Sequence, residues 1–136
     1  MDKKKVVEEI QGYLAEELAA FLPSVEAGAL DEAGQVRVRE IQQQLTMYKF
    51  LPLREYSAND VVCPSALVEL DLRGRHAFYL VVPTGGGLVM KIEGQPVQVI
   101  TPNSPLGAAL MGKRVGESVS LTVQGTTRDY RVVGMQ

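Results

Sequence analysis

The sequence is poor in the residues from which most enzyme sites are built. Its 136 residues include one cysteine, one histidine and no tryptophan. A single cysteine excludes an intrachain disulfide, and one cysteine with one histidine excludes the usual zinc sites made of these residues. Aromatic residues make up 6% of the chain, so no stacking platform for single-stranded nucleic acid is expected.

Nucleophilic catalysis is equally poorly supported. Cys63 would need a base to act as a catalytic thiol, and the only histidine is His76. His76 lies in a strand-like pattern, and no nucleophile elbow accompanies any serine. We therefore expect Cys63 to be a small buried or half-buried residue, His76 to be a structural or surface residue, and no catalytic residue to be present.

Long apolar runs and strong basic charge are also missing. No stretch approaches the roughly 18 apolar residues of a membrane span, and the first residues lack the apolar core of a signal peptide. A cytoplasmic protein without membrane contact is expected. The net charge is −2, with seven Lys/Arg against eleven Asp/Glu in residues 1–65 and seven against five in residues 66–136. Neither part predicts independent nucleic-acid binding, so a protein partner is favoured.

The first third of the chain has the spacing of two amphipathic helices. The first is predicted over residues 2–22, ended by Pro23, and the second from Asp31 or Gln35 to Phe50, ended by Pro52. A short connection between helices favours an antiparallel hairpin. We assign residues 1–52 to this hairpin and residues 53–65 to a connector.

From residue 66 the apolar period changes to two, which indicates strands. About six short strands are predicted, over residues 66–73, 76–82, 88–92, 97–100, 118–124 and 127–133. A helix interrupts them: Ser104 is a good N-cap, Pro105 suits the first helical position, and Gly112 suits the end. The fold class is therefore α+β, with an antiparallel sheet and one short helix in residues 66–136.

The segment from Ile100 to Ser118 also carries a motif, Ser-Pro-Leu-Gly-x-Ala-Leu-x-Gly-Lys-x-x-Gly-Glu. It resembles the signature of the C-terminal domain of the GreA/GreB transcript cleavage factors, which the Rnk-type short-hairpin regulators share. The resemblance implies an FKBP-like β domain and RNA polymerase as the partner. It places the polymerase-binding residues at Ser104, Pro105, Leu106, Gly107, Lys113, Arg114 and Glu117.

In that family, acidic residues at the hairpin tip help to hold a magnesium ion shared with the polymerase. Here the tip acids are Glu26, Asp31 and Glu32, and the resemblance implies Asp31 and Glu32 as the metal ligands, with no cofactor of the chain's own. The family's aspartate position is occupied by Ala29. A second interpretation is that these acids solubilise a loop and stabilise the start of the second helix.

Three functions follow from these patterns. The favoured one is a regulator that binds RNA polymerase and occupies its secondary channel, with no enzyme activity of its own. The alternative is a true cleavage factor that supplies acidic tip residues to the polymerase. A prolyl isomerase is the third, but it needs an aromatic pocket, and Phe78, Tyr79 and Tyr130 are the only aromatic residues after Tyr56.

Overall fold

The structure is a computed structural model that describes all residues, 1–136. The chain divides into two compact units. The helical unit is Met1–Leu51, and the β unit is Pro52–Gln136. None of the helices is sufficiently long and apolar to cross a membrane.

The helical unit is a hairpin of α1, Lys3–Glu26, and α2, Glu32–Phe50, which pack against each other. Asp2 caps α1 by accepting a hydrogen bond from the Lys4 N–H, and Asp31 caps α2. The amphipathic spacing predicted for the second helix is confirmed on α2, where four apolar residues spaced three or four apart are buried or half-buried: Val38, Ile41, Leu45 and Tyr48.

The prediction that Pro23 ends the first helix is wrong. The helix continues for another turn to Glu26, and the carbonyl of Pro23 accepts from the Ala27 N–H at 3.1 Å. A proline deprives the helix of one N–H donor but keeps its own carbonyl as an acceptor for the following turn. The chain then turns at Gly28, whose φ is +64°.

The β unit is a six-stranded sheet with one short helix. Its strands are β1 Leu67–Leu72, β2 Arg75–Val81, β3 Val89–Ile92, β4 Gln95–Ile100, β5 Ser118–Val123 and β6 Thr126–Met135. The helix, α3, is Pro105–Leu110 and lies between β4 and β5 in sequence. The spatial order of the strands is β3-β4-β2-β1-β6-β5.

The sheet is mostly antiparallel, but β2 and β4 pair in parallel, with Phe78 opposite Val97 and Val81 opposite Ile100. The predicted antiparallel sheet is therefore found, with β2–β4 as its one parallel pair. The cause is that β4 takes an interior position while β3 takes the edge. Val97 and Val99 are 1% exposed, whereas β3 contains the exposed Lys91, and an interior strand is the more apolar of the two.

One face of the sheet supports a core that α3 completes. Val68, Leu70 and Val132 from the central strands meet Leu110 from α3 in this core. Leu106 and Ala109 pack against it from the partly exposed side of the helix. The apolar face of this helix is thus the face that holds it on the sheet.

Candidate functional site

The start of α3 is fixed by one side chain that makes two hydrogen bonds. The Ser104 hydroxyl donates to the carbonyl oxygen of Thr101 at 2.7 Å and accepts from the Gly107 N–H at 3.1 Å. Pro105 follows at the first helical position, where its missing N–H leaves no gap in the helix. The predicted cap is confirmed, and it ties the helix to the end of β4.

Gly107 is buried at this same junction, and its backbone leaves no room for a side chain. A Cβ built on Gly107 would lie 1.8 Å from the carbonyl oxygen of Thr101 and 2.8 Å from the Ser104 hydroxyl. Van der Waals contact requires distances well above 3 Å. The glycine of the motif is therefore explained by close packing of α3 on the strand end.

The turn that follows α3 is held by backbone hydrogen bonds at both ends. The Gly112 N–H donates to the carbonyl of Val62, and the Val62 N–H donates to the carbonyl of Lys113 at 2.8 Å. At the other end, the Gly116 N–H donates to the carbonyl of Val132. Gly112 has φ +78°, as predicted for a residue that ends a helix. The turn therefore has a fixed place beside the connector and the sheet.

The three charged residues predicted to contact a partner lie in this turn. Arg114 and Glu117 are exposed, and Lys113 is half-buried. Glu117 accepts a hydrogen bond from the Arg114 N–H at 2.9 Å, and Arg114 Nε donates to the carbonyl of Asn59 at 3.3 Å. Glu117 therefore also shapes the turn. Asn59 is a neighbour that the sequence pattern did not reveal, because the two residues lie 55 positions apart.

The hairpin tip brings its acids to the two helix ends that flank the turn. Glu26 is the last residue of α1, Asp31 is the N-cap of α2, and Glu32 is the first residue of α2. All three side chains are exposed. Asp31 Oδ1 accepts from the Gly34 N–H at 2.8 Å, and Glu32 lies at the positive end of the helix dipole. The capping interpretation of these acids therefore has a specific geometry.

The capping role of Asp31 limits its availability as a metal ligand at the tip. One carboxylate oxygen of Asp31 is already engaged in the cap. Nowhere do three or more His, Cys, Asp and Glu side chains form a group that could hold a metal ion. The residues present therefore do not form a magnesium site from this chain alone.

Below the tip, an ion pair that the sequence did not reveal links the two helices. Arg37 on α2 binds Glu17 on α1 through both carboxylate oxygens, at 2.7 and 2.8 Å, and also approaches Glu40 at 3.3 Å. The hydrogen bonds from Arg37 lower the pKa of Glu17. A bidentate pair of this kind fixes both angle and spacing, so it helps to hold the two helices in register.

The isolated histidine and cysteine are placed away from any catalytic arrangement. His76 Nδ1 lies 2.6 Å from Glu69 on the exposed surface of the sheet, and this hydrogen bond raises the pKa of His76. Cys63 is half-buried, and its thiol donates to the hydroxyl of Tyr56 at 3.2 Å. Burial and the Cys63 contact raise the pKa of Tyr56, so Tyr56 is not an activated base.

The sequence of this chain is similar to those of known elongation factors. The family model described as "Transcription elongation factor, GreA/GreB, C-term" matches residues 78–136, the part that contains α3 and its flanking turns. A curated relative, transcription elongation factor GreA from Thioalkalivibrio sulfidiphilus, is 28% identical over 102 residues. That match covers 74% of this chain, and the chain spans 61% of the relative's length.

Two solved structures also show similarity to this chain. Gfh1 from Thermus aquaticus is 23% identical and has a TM-score of 0.47, with 98% of this chain and 90% of that chain covered. A GreA/GreB elongation factor from Nitrosomonas europaea is 19% identical, with a TM-score of 0.43 and coverage of 89% and 92%. The motif around α3 and the family match over residues 78–136 show that the C-terminal part of this chain is similar to the C-terminal domain of the GreA/GreB transcription elongation factors.

Proposed function

We propose that the protein binds RNA polymerase and regulates elongation by occupying the secondary channel. In this proposal the β unit supplies the docking surface, and the helical hairpin is the part that enters the channel. The docking surface consists of the start of α3 and the turn after it: Ser104, Pro105, Leu106, Gly107, Lys113, Arg114 and Glu117. The partner follows from the family, and the mode of action follows from the hairpin tip.

The observation that carries occupancy rather than cleavage is the role of Asp31. A cleavage factor needs tip carboxylates that are available to a metal ion held with the polymerase. Here Asp31 caps α2 through Oδ1, and Ala29 stands where the family pattern has aspartate. No step of the proposed function therefore passes through a magnesium ion. The tip acts by its volume and charge.

The docking surface is supported by its rigidity. The turn after α3 is pinned by backbone hydrogen bonds to Val62 and Val132, and Ser104 and Gly107 fix the start of the helix. A surface that is ordered before binding loses little conformational entropy when its partner arrives. Within it, Lys113 and Arg114 supply the positive charge that an acidic polymerase surface would contact.

The docking surface is tested by charge reversal. We expect the double variant Lys113→Glu, Arg114→Glu to lose about tenfold or more in affinity for core RNA polymerase, because both attractive charges become repulsive. The measurement is a pull-down at low salt, followed by titration. The matched control is the double variant Lys91→Glu, Arg75→Glu, which reverses two exposed positive charges on strands β3 and β2. Equal binding by both double variants would contradict this surface, and no binding by the unaltered protein would contradict the proposed function.

Occupancy is tested on a stalled elongation complex. We expect the protein to bind without shortening the transcript, and to reduce the cleavage stimulated by an added GreA-type factor, because both would compete for one channel. The variant Asp31→Asn, Glu32→Gln removes both carboxylates while asparagine keeps the helix cap. Asp31→Ala would instead lose the cap, at about 1 kcal/mol. Transcript shortening that the Asn/Gln variant abolishes would establish the cleavage alternative.

A further inference from the structure

Strand β5 forms an unprotected edge of the sheet. It pairs with β6 on one side only, and its register has no bulge. Its six residues include no charged residue and no proline, which are the usual devices that prevent an edge strand from pairing with another chain. The opposite edge strand, β3, is four residues long and contains Lys91. Of the two edges, β5 is the one suited to accept an added strand.

A cavity of about 320 Å³ lies beside the far end of this strand. Its apolar walls are Leu121, Val123 and Tyr130, and Arg128 is its one charged lining residue. Val119, nearer to α3, is buried, whereas Val123 is 51% exposed. The cavity thus lies at the part of the β5–β6 hairpin that α3 does not cover.

Arg128 has no carboxylate partner in this chain. It makes no side-chain hydrogen bond or ion pair. Burial raises the pKa of Tyr79, and the charge of nearby Arg128 opposes that rise. The neighbouring acid, Asp129, is engaged by the hydroxyl of Ser120. An unpaired guanidinium beside an apolar wall is suited to bind a carboxylate, because its N–H groups match the two carboxylate oxygens.

We propose that the β5 edge docks an extended, acidic peptide segment of a partner protein. The segment would add as a seventh strand, place an apolar side chain in the cavity and set a carboxylate against Arg128. In such strand addition, backbone hydrogen bonds supply affinity and side-chain pockets supply specificity. This function goes beyond the proposed polymerase docking surface, because the cavity lies at the end of β5 remote from Glu117. Val123 at that end is about 20 Å from Glu117 at 3.3 Å per residue.

Charge decides between this occupant and a second copy of the chain. If two copies paired through β5, the added strand would again be Ser118–Val123, which contains no carboxylate. Both Arg128 side chains would then remain unpaired at the new interface. An acidic segment neutralises that charge, so electrostatic complementarity favours it.

The test uses the whole protein and a defined probe, the fluorescein-labelled peptide Thr-Val-Thr-Glu-Thr-Val, in which the glutamate and both valines lie on one face of an extended strand. We expect saturable binding by fluorescence anisotropy, about tenfold weaker binding when glutamine replaces the peptide's glutamate, and no binding when alternate peptide nitrogens are methylated. Arg128→Gln should bind both peptides equally and weakly. Val123→Lys should abolish binding, because a charge on the edge blocks strand addition.

The control variant is Lys91→Gln on β3, which should bind like the unaltered protein. Circular dichroism checks that each variant remains folded. The proposal is overturned by absence of saturable binding at millimolar peptide, by unchanged binding in Arg128→Gln or Val123→Lys, or by tight binding of the methylated peptide. It is also overturned if sedimentation shows a dimer that Val123→Lys dissociates, since the edge would then serve a second copy.

Discussion

Replacing Gly107 by alanine is expected to destabilise the β unit by about 3 kcal/mol or to prevent its folding. The added methyl group would lie 1.8 Å from the carbonyl oxygen of Thr101. That oxygen belongs to the backbone and also accepts hydrogen bonds from the Ser104 hydroxyl and N–H. The clash therefore cannot be relieved by a rotamer change. Either α3 must move off the sheet or the end of β4 must shift.

The measurement is urea unfolding of Gly107→Ala beside the unaltered protein. Gly12→Ala is the matched control, because Gly12 lies inside α1 and a Cβ there meets nothing within 4 Å. Alanine in the middle of a helix should raise stability by about 0.5–1 kcal/mol. If Gly107→Ala unfolded at the urea concentration of the unaltered protein, the close packing of α3 on β4 would be refuted.

Truncation of Leu110 to alanine is expected to lower the free energy of unfolding by about 2–5 kcal/mol. Leu110 is fully buried and is the residue by which α3 enters the sheet core, beside Val119 and Val132. Its loss removes apolar contact and leaves a cavity that the surrounding strands can fill only in part. Urea unfolding with a probe in the β unit measures the change.

Leu22→Ala serves as the control for this second substitution. Leu22 lies on α1 with 50% of its surface exposed, so its truncation should change stability by at most about 0.5 kcal/mol. A loss below about 1 kcal/mol in Leu110→Ala would mean that α3 does not depend on this anchor. Leu110→Ala should also weaken polymerase binding at temperatures where the variant begins to unfold, because α3 forms part of the proposed docking surface.

Both substitutions concern the same short helix, and they separate its structural role from its binding role. Gly107 and Leu110 are buried, whereas Lys113 and Arg114 lie in the turn that follows. Changes at the buried pair should reduce stability and binding together. Charge reversal in the turn should reduce binding while the protein stays folded. That contrast assigns the buried residues of the helix to folding and the charges after it to recognition of the partner.

The parts of the fold that follow from local sequence were predicted well. The α3 cap at Ser104 and the end of α3 at Gly112 were confirmed, because capping and positive φ depend on residues close together in the chain. The six strands and their hairpins were also found, since an apolar period of two is a local signal. Among the predicted helix bounds, only the end of the first helix at Pro23 was wrong, because α1 continues to Glu26.

The sequence names candidate site residues, but it does not reveal the interactions that these residues make. The motif around α3 named Lys113, Arg114 and Glu117, yet it gave no sign that Asn59 and Val62 from the connector hold this turn. The pairing of Glu17 with Arg37 across the hairpin was likewise hidden. Such contacts join residues about 20 to 55 positions apart, and no periodic pattern or cap encodes them.

The sequence by itself determined the elements, the change from helical to strand period, and the family signature around α3. Only the tertiary structure decided that β4 lies beside β2 in parallel and that Gly107 has no room for a Cβ. It also decided that one carboxylate oxygen of Asp31 accepts the hydrogen bond that caps α2. The physical reason is the distance along the chain over which each effect acts. Propensity, capping and period act within one or two turns, whereas strand order and close packing depend on which distant surfaces can be buried together.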